Sequence, residues 1–255
     1  MSDTPHLEET ALDLNRDRIF AEEQQRIADF NFGAETAAVF DDMLDRSVPF
    51  YQEIQRMTGE LAADFAMEGS AIWDLGCSTA NSFLEIAKHL QTDALRFVGL
   101  DSSEAMLDRA RQKLAAYRFR YPFELRLADI NQPLHLEDAS VSLLLLTLQF
   151  VRPMNRERLL RDIFNGTRAN GCLILVEKVV NEDPRMNRLF IEHYYAYKKR
   201  NGYSELEIAQ KREALENVLI PYRLDENVKM LTGAGFKTVE IFFKWYNFCG
   251  IIATK

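Results

Sequence analysis

Residues 71–82, AIWDLGCSTANS, constrain the fold more than any other stretch. An apolar pair and a tryptophan lead into Asp74, and Leu75-Gly76-Cys77-Ser78 then makes a turn of small residues. Phe83-Leu84-Glu85-Ile86-Ala87-Lys88-His89-Leu90 follows with helical spacing. That is the order of a buried strand, a tight turn and a helix N-terminus. Backbone N–H groups at such a turn have no helical partner. They are expected to point out of the sheet's carboxyl edge, toward a ligand with acceptor atoms. Alone, the stretch fits an ordinary strand-to-helix turn equally well.

The pattern then repeats. Leu95-Arg96-Phe97-Val98-Gly99-Leu100-Asp101 is a short buried strand ending in a carboxylate, and Ser102-Ser103-Glu104 caps a helix to about Tyr117. Residues 123–129 alternate with period two and also end in Asp. Residues 141–148 are a nearly unbroken apolar run, as in a central parallel strand covered on both faces. Residues 156–168 read as an amphipathic helix stopped near Asn170-Gly171, and 172–176 as the next strand, ending at Glu177-Lys178. Such alternation means crossover connections and a parallel sheet. Residues 225–231 form a helix ended at Gly233-Ala234-Gly235, and 239–245 and 248–254 are strands joined by Tyr246-Asn247. The expected fold class is α/β: a doubly wound, seven-stranded, mostly parallel sheet with an antiparallel closing hairpin and a helical insertion.

Residues 1–26 are charged, carry little core, and read as a mobile or weakly helical lead-in. The rest, 27–255, is expected to be one domain. It has an N-terminal helical cover at 27–68 and helices inserted at 181–222. Pro49 favours a helix start, and Tyr51, Ile54, Met57, Leu61 and Phe65 recur at helical steps. That cover could lie over a ligand at the end of the first strand.

Hydrophobic residues make up 47% of the 255, enough for a sizeable core. The net charge of −8 removes the long-range pull a polyanion-binding protein normally uses, so no direct tRNA binding is expected. Cys77, Cys172 and Cys249 show neither metal spacing nor a disulfide framework, which fits a reducing cytoplasm. No metal site and no membrane span are expected, because no apolar run is long enough to cross a bilayer.

Gly76 and Asp101 lie 25 positions apart with one helix between them. In a doubly wound sheet the ends of adjacent strands sit side by side at the ligand crevice. A carboxylate at the second strand's end can accept both hydroxyls of a ribose. Asp129 ends the third strand, and Ile130 beside it offers backbone groups and an apolar wall to an adenine. These three strand ends together point to a nucleoside-type ligand. The turn has one glycine rather than a G-x-G-x-x-G series, and it has no phosphate-binding lysine. Neither a dinucleotide nor a P-loop reading fits.

This arrangement resembles the class I S-adenosylmethionine-dependent methyltransferase fold. A closer likeness lies in five segments: Arg46-Ser47-Val48-Pro49-Phe50-Tyr51, Trp73-Asp74-Leu75-Gly76-Cys77-Ser78, Thr147-Leu148-Gln149-Phe150, Val176-Glu177-Lys178, and residues 200–212, RNGYSELEIAQKR. Together they resemble the carboxy-S-adenosyl-L-methionine synthase family, from about Phe30 to near the C-terminus. The last run is the most specific. The resemblance implies conversion of S-adenosylmethionine and prephenate to carboxy-S-adenosylmethionine and phenylpyruvate. The product would serve a partner enzyme that carboxymethylates a wobble uridine in tRNA. It implies that Tyr51, Gly76, Cys77, Ser78, Asp101, Ser102, Asp129 and Ile130 bind the cofactor and that Arg212 grips the added carboxylate. No protein base is implied if the hydroxide leaving prephenate takes the methyl proton. Leu145 stands where the family usually has Asn, and Thr79-Ala80 where it usually has a second glycine. An ordinary methyltransferase for a small anionic molecule, and a non-catalytic nucleoside-binding protein, are the alternative readings. The aromatics of the inserted helices, Tyr194, Tyr195 and Tyr197, make a homodimer plausible. Lys198-Lys199-Arg200 reads as a solvated face or as a contact for an anionic substrate.

Overall fold

The computed structural model describes residues 16–255. Two helices, α1 (Ala34–Ser47) and α2 (Tyr51–Phe65), precede the first strand, β1 (Ser70–Leu75). Crossover units follow: α3 (Asn81–His89), β2 (Leu95–Asp101), α4 (Glu104–Ala116), β3 (Phe123–Leu127), β4 (Ala139–Leu145), α5 (Pro153–Gly166) and β5 (Thr167–Val180). The insertion supplies α6 (Pro184–Arg200) and α7 (Glu205–Leu215). The two-residue β6 (Tyr222–Arg223), α8 (Leu224–Ala234), β7 (Thr238–Trp245) and β8 (Phe248–Thr254) close the chain.

The sheet order is β3-β2-β1-β4-β5-β8-β7, and β6 pairs with the far end of β5 as an eighth, short strand. Strands β3 to β5 are parallel, while β8 runs antiparallel to β5 and β7 to β8. The strand order reverses between β1 and β4, which opens a crevice at their carboxyl ends. Alternate residues of β1 feed two cores. Trp73 and Leu75 pack with Leu159, Leu160 and Ile163 of α5, and Ile72 packs with Phe83 of α3 and Leu114 of α4. Both faces are therefore covered, as a run such as SVSLLLL requires.

Several boundaries differ from the sequence expectation. β4 ends at Leu145, not 148, because Leu146 takes a left-handed conformation (φ 61°) and a single 3-10 turn, Leu148–Phe150, follows. α5 begins at Pro153, whose fixed φ suits the first helical position, and ends at Gly166. β5 is 14 residues long: β4 and β8 pair on opposite edges of 172–176, Thr167 pairs with β4 before that stretch, and β6 pairs with Val179 and Val180 after it. β3 alternates in sequence yet stays largely exposed, since it lies at the sheet edge.

The described part of the 1–26 lead-in has no helix and is not loose. Asp17 and Phe20 are buried. The Asp17 carboxylate accepts from the Tyr203 hydroxyl at 2.5 Å and from Lys211 Nζ at 3.3 Å, while the Gln210 side chain donates to the Phe20 and Glu22 carbonyls. Residues 1–15 lie outside the described residues. Among the described residues no helix is long and apolar enough to cross a membrane.

Candidate functional site

A cavity of about 400 Å³ occupies the crevice. Strand ends of β1, β2 and β4 form its floor, α1 and α2 one wall, and the inserted α6 and α7 another. Tyr51, Gly76, Cys77, Ser78, Asp101, Ser102, Asp129, Ile130 and Arg212 all line it. The fold brings them together across 162 positions of chain, from 51 to 212.

The turn after β1 is built differently from the sequence expectation. The N–H groups of Gly76 and Cys77 donate to the Leu100 carbonyl at 2.7 and 2.9 Å, and that of Ala80 to the Cys77 carbonyl at 2.8 Å. The Ser78 N–H donates to Asp101 Oδ2 at 2.9 Å. These donors are therefore not free for a ligand: β2 runs beside β1, and its last carbonyl and carboxylate reach them first. Gly76 sits at φ 88°, and a Cβ there would lie 2.5 Å from Thr147 Cγ2. No larger residue fits without moving Thr147. Ala80 is fully buried and left-handed at φ 61°. A side chain in that region costs about 1–2 kcal/mol. Cys77 is buried, and burial pushes its thiol well up, so it is a neutral wall.

Asp101 Oδ1 accepts from the Ser103 N–H at 2.9 Å, so each carboxylate oxygen holds one backbone donor and keeps further acceptor capacity. Burial raises its pKa against the opposing N–H groups of Ser103, Ser78 and Ser102. Asp129 is exposed, and the backbone and side-chain donors of Asn131 hold it below the usual carboxylate range. Half-buried Ile130 lies next to it. The Tyr51 hydroxyl accepts from Asn81 Nδ2 at 3.3 Å. Asn81 also donates to Asp41 of α1, which accepts from Thr79 at 2.7 Å and from Lys113 at 2.5 Å. This network ties the helical cover to the turn. Burial would push Asp41 up, but the Lys113 charge and these hydrogen bonds hold it down.

Sequence reasoning assigned no role to Asp74, Lys178, Lys211 and Glu216, which face the cavity, and read Lys198, which also faces it, within a run that is either a solvated face or an anion contact. Asp74 accepts from the Ser82 hydroxyl, while its Oδ1 has no partner. Burial, and then the Asp101 charge, push its carboxyl up to about 7. A carboxylate inside the apolar string Ile72-Trp73-Asp74-Leu75 was the available signal. Lys178 of β5 is brought down to about 8 by burial, and Lys198 of α6 to about 7 by burial and the charges of Lys211 and Lys178. In the run Lys198-Lys199-Arg200 only Lys198 turns inward, and the other two are exposed. Arg212 is exposed at the rim, with no ion-pair partner among the described residues. The cavity is thus polarised, with Asp74, Asp101 and Asp129 on the side of β1, β2 and β3 and Lys178, Lys198, Lys211 and Arg212 of β5, α6 and α7 on the other, where Glu216 just after α7 adds one negative charge. Leu145 also lines the cavity.

Residues 72–171 match the family described as a methyltransferase domain. The chain is similar to an O-methyltransferase family protein from Burkholderia thailandensis, with a TM-score of 0.63 and 15% identity over 98% of this chain and 67% of that one. It is also similar to human N-acetylserotonin methyltransferase, with a TM-score of 0.59 and 14% identity over 87% of this chain and 55% of that one. At such identities the likeness concerns the fold alone. Carboxy-S-adenosyl-L-methionine synthase from Methylococcus capsulatus is 54% identical over 95% of this chain and all of its own length. The protein of that name from Wolinella succinogenes is 46% identical over 94% of this chain and 98% of its own. Identity this high, sustained from end to end of both relatives on a methyltransferase fold, places the chain in the carboxy-S-adenosyl-L-methionine synthase family.

Proposed function

We propose that this protein converts S-adenosylmethionine and prephenate to carboxy-S-adenosylmethionine and phenylpyruvate. The observation that carries the reading is the polarity of the cavity. An enzyme that only donates a methyl group must hold a sulfonium cation, and Lys178, Lys198 and Arg212, none of them ion-paired among the described residues, would repel it. A product that has gained a carboxylate, and a co-substrate that brings two, make those cations useful.

The residues divide accordingly. Asp101 has acceptor capacity for the ribose, Asp129 and Ile130 flank the place of the adenine, and Tyr51 and the turn at Gly76-Cys77-Ser78 enclose the methionine portion. The orphaned Oδ1 of Asp74 fits a cation at that end. Arg212 reaches the added carboxylate from the rim with a guanidinium fork. Prephenate releases carbon dioxide and hydroxide and becomes phenylpyruvate. The hydroxide takes a methyl proton and leaves as water, and the carbon dioxide joins the methyl carbon. The chain's task is to hold the two substrates together and keep bulk water out. The product then supplies an enzyme that carboxymethylates a wobble uridine in tRNA, and the protein works in the cytoplasm. It acts as a homodimer, for which the exposed Met186 and Leu189 of α6 and Tyr246 of the closing turn offer an apolar face. Light scattering that gives a monomer mass would remove the dimer.

Leu145 favours one other reading, a methyltransferase for a small anionic molecule, since it cannot hydrogen-bond the ligand as Asn would. Mass spectrometry of the co-purifying ligand separates the two. A carboxylated cofactor, with phenylpyruvate formed from prephenate, is the expected result. Unmodified S-adenosylmethionine and no turnover of prephenate would favour the methyltransferase.

A further inference from the structure

The cationic end of the cavity holds more positive charge than one added carboxylate needs. Lys178 Nζ lies 5.1 Å and Lys198 Nζ 5.0 Å from the centroid of the same ring, that of buried Tyr194. The two lysines come from different elements, β5 and α6, and both face the cavity. Among the described residues neither ammonium has a carboxylate within ion-pair distance. The nearest acid acting on Lys198 is Asp17, which is already engaged by Lys211 and Tyr203. Desolvated cations without counter-charges are costly, and the Tyr194 ring, with the Tyr195 ring 6.0 Å from Lys198, offsets that only in part. Groups kept at such cost beside a cavity mark a place where an anion binds.

We propose that Lys178 and Lys198, both beside the Tyr194 ring, form a second anion subsite that holds the side-chain carboxylate of the carboxyl donor, apart from the carboxylate held by Arg212. The assignment rests on the activity proposed above. Prephenate has two carboxylates. The one on the ring leaves as carbon dioxide and needs no lasting partner. The one on the pyruvyl side chain persists in phenylpyruvate, so its partner must serve substrate and product alike. Holding it at the lysines fixes one end of the donor and leaves the ring carboxylate free to face the methyl group.

The test is titration calorimetry of phenylpyruvate into protein saturated with S-adenosylhomocysteine, which has no methyl group to react. Lys178→Gln and Lys198→Gln should each weaken phenylpyruvate at least tenfold. Lys198→Arg should stay within about threefold of wild type, because it keeps the charge. Affinity for S-adenosylhomocysteine and the melting temperature should not fall in any of the three, which separates loss of a subsite from loss of structure. Undiminished phenylpyruvate affinity in the Gln variants overturns the subsite, as does an equal loss of S-adenosylhomocysteine, and so does absence of phenylpyruvate binding by the wild type. Carboxy-S-adenosylmethionine formation is measured in parallel. If phenylpyruvate binds through the lysines and none forms, the subsite stands and the activity falls. If it forms while the Gln variants bind phenylpyruvate normally, the activity stands and the subsite falls.

Discussion

Asp74 shows how one side chain couples stability to ligand. With its carboxyl raised to about 7, the folded protein binds a proton there that the unfolded chain releases near pH 4. Its contribution to stability therefore falls as pH rises from about 4 to 7, by roughly 1.4 kcal/mol per pH unit. Asp74→Asn should flatten that part of a melting-temperature profile and raise stability at pH 8, while weakening S-adenosylmethionine. Burial raises Asp101 too, but there two backbone N–H groups already hold the carboxylate oxygens and oppose the rise. Asp101→Ala should weaken S-adenosylmethionine more than tenfold, since hydrogen bonds to a charged group contribute about 1.5–3 kcal/mol each. Unchanged affinity by calorimetry would remove Asp101 from the site. At Arg212 the discrimination is by ligand charge. Arg212→Leu should weaken carboxy-S-adenosylmethionine by about 1.5–3 kcal/mol, the lower range being set by its exposure, and leave S-adenosylmethionine as tight or slightly tighter. Arg212→Lys should rescue only in part, because an ammonium lacks the fork. Equal losses for both ligands would make Arg212 structural.

Among elements, the run at 200–212 has the clearest physical meaning. It resembles the family most specifically, yet most of it serves docking. Asn201 exchanges two hydrogen bonds with Arg46, at 2.9 and 3.0 Å, and the Arg46 guanidinium lies 4.0 Å over the Tyr203 ring. Ser204 and Glu207 form a capping box that starts α7. Gln210 and Lys211 hold the N-terminal segment. Of these side chains, Lys211 and Arg212 line the cavity. Two of the resembling segments, 46–51 and 200–212, are therefore halves of one joint that fixes the insertion to the helical cover. Removing Asp17 leaves buried Lys211 without its counter-charge. Asp17→Ala should cost about 3–5 kcal/mol, and adding Lys211→Met should recover part of it. Thermal denaturation reads both. If Asp17→Ala melts like wild type, the joint does not anchor the insertion.

Over the whole molecule, the net charge of −8 sits around a cavity whose inner end is cationic. That suits small anions reaching a recessed site better than a polyanion on the surface. A gel shift at physiological salt should show no submicromolar tRNA binding, and tight, salt-sensitive binding would overturn that view. Phenylpyruvate affinity should fall as pH rises from about 6.5 to 9, as Lys198 and then Lys178 lose their protons. The charged and titratable groups facing them are Lys211, Arg212, Glu216, Asp17, Tyr194 and Tyr195, and burial brings Lys211 down as well despite Asp17. The layout of the sheet was legible from the chain alone. Period-two and unbroken apolar runs, separated by helical spacing, dictate crossover units, and these set which strand ends meet. Hence Gly76, Asp101 and Asp129 could be placed at one crevice from the sequence. The destination of the turn's N–H groups could not, because it depends on the Leu100 carbonyl and Asp101, which approach only when β2 lies beside β1. The anchoring of Asp17 and the inward turn of Lys198 but not Lys199 were likewise invisible. A charged side chain looks the same in sequence whether solvated or buried, and only packing decides which partner or cavity it meets.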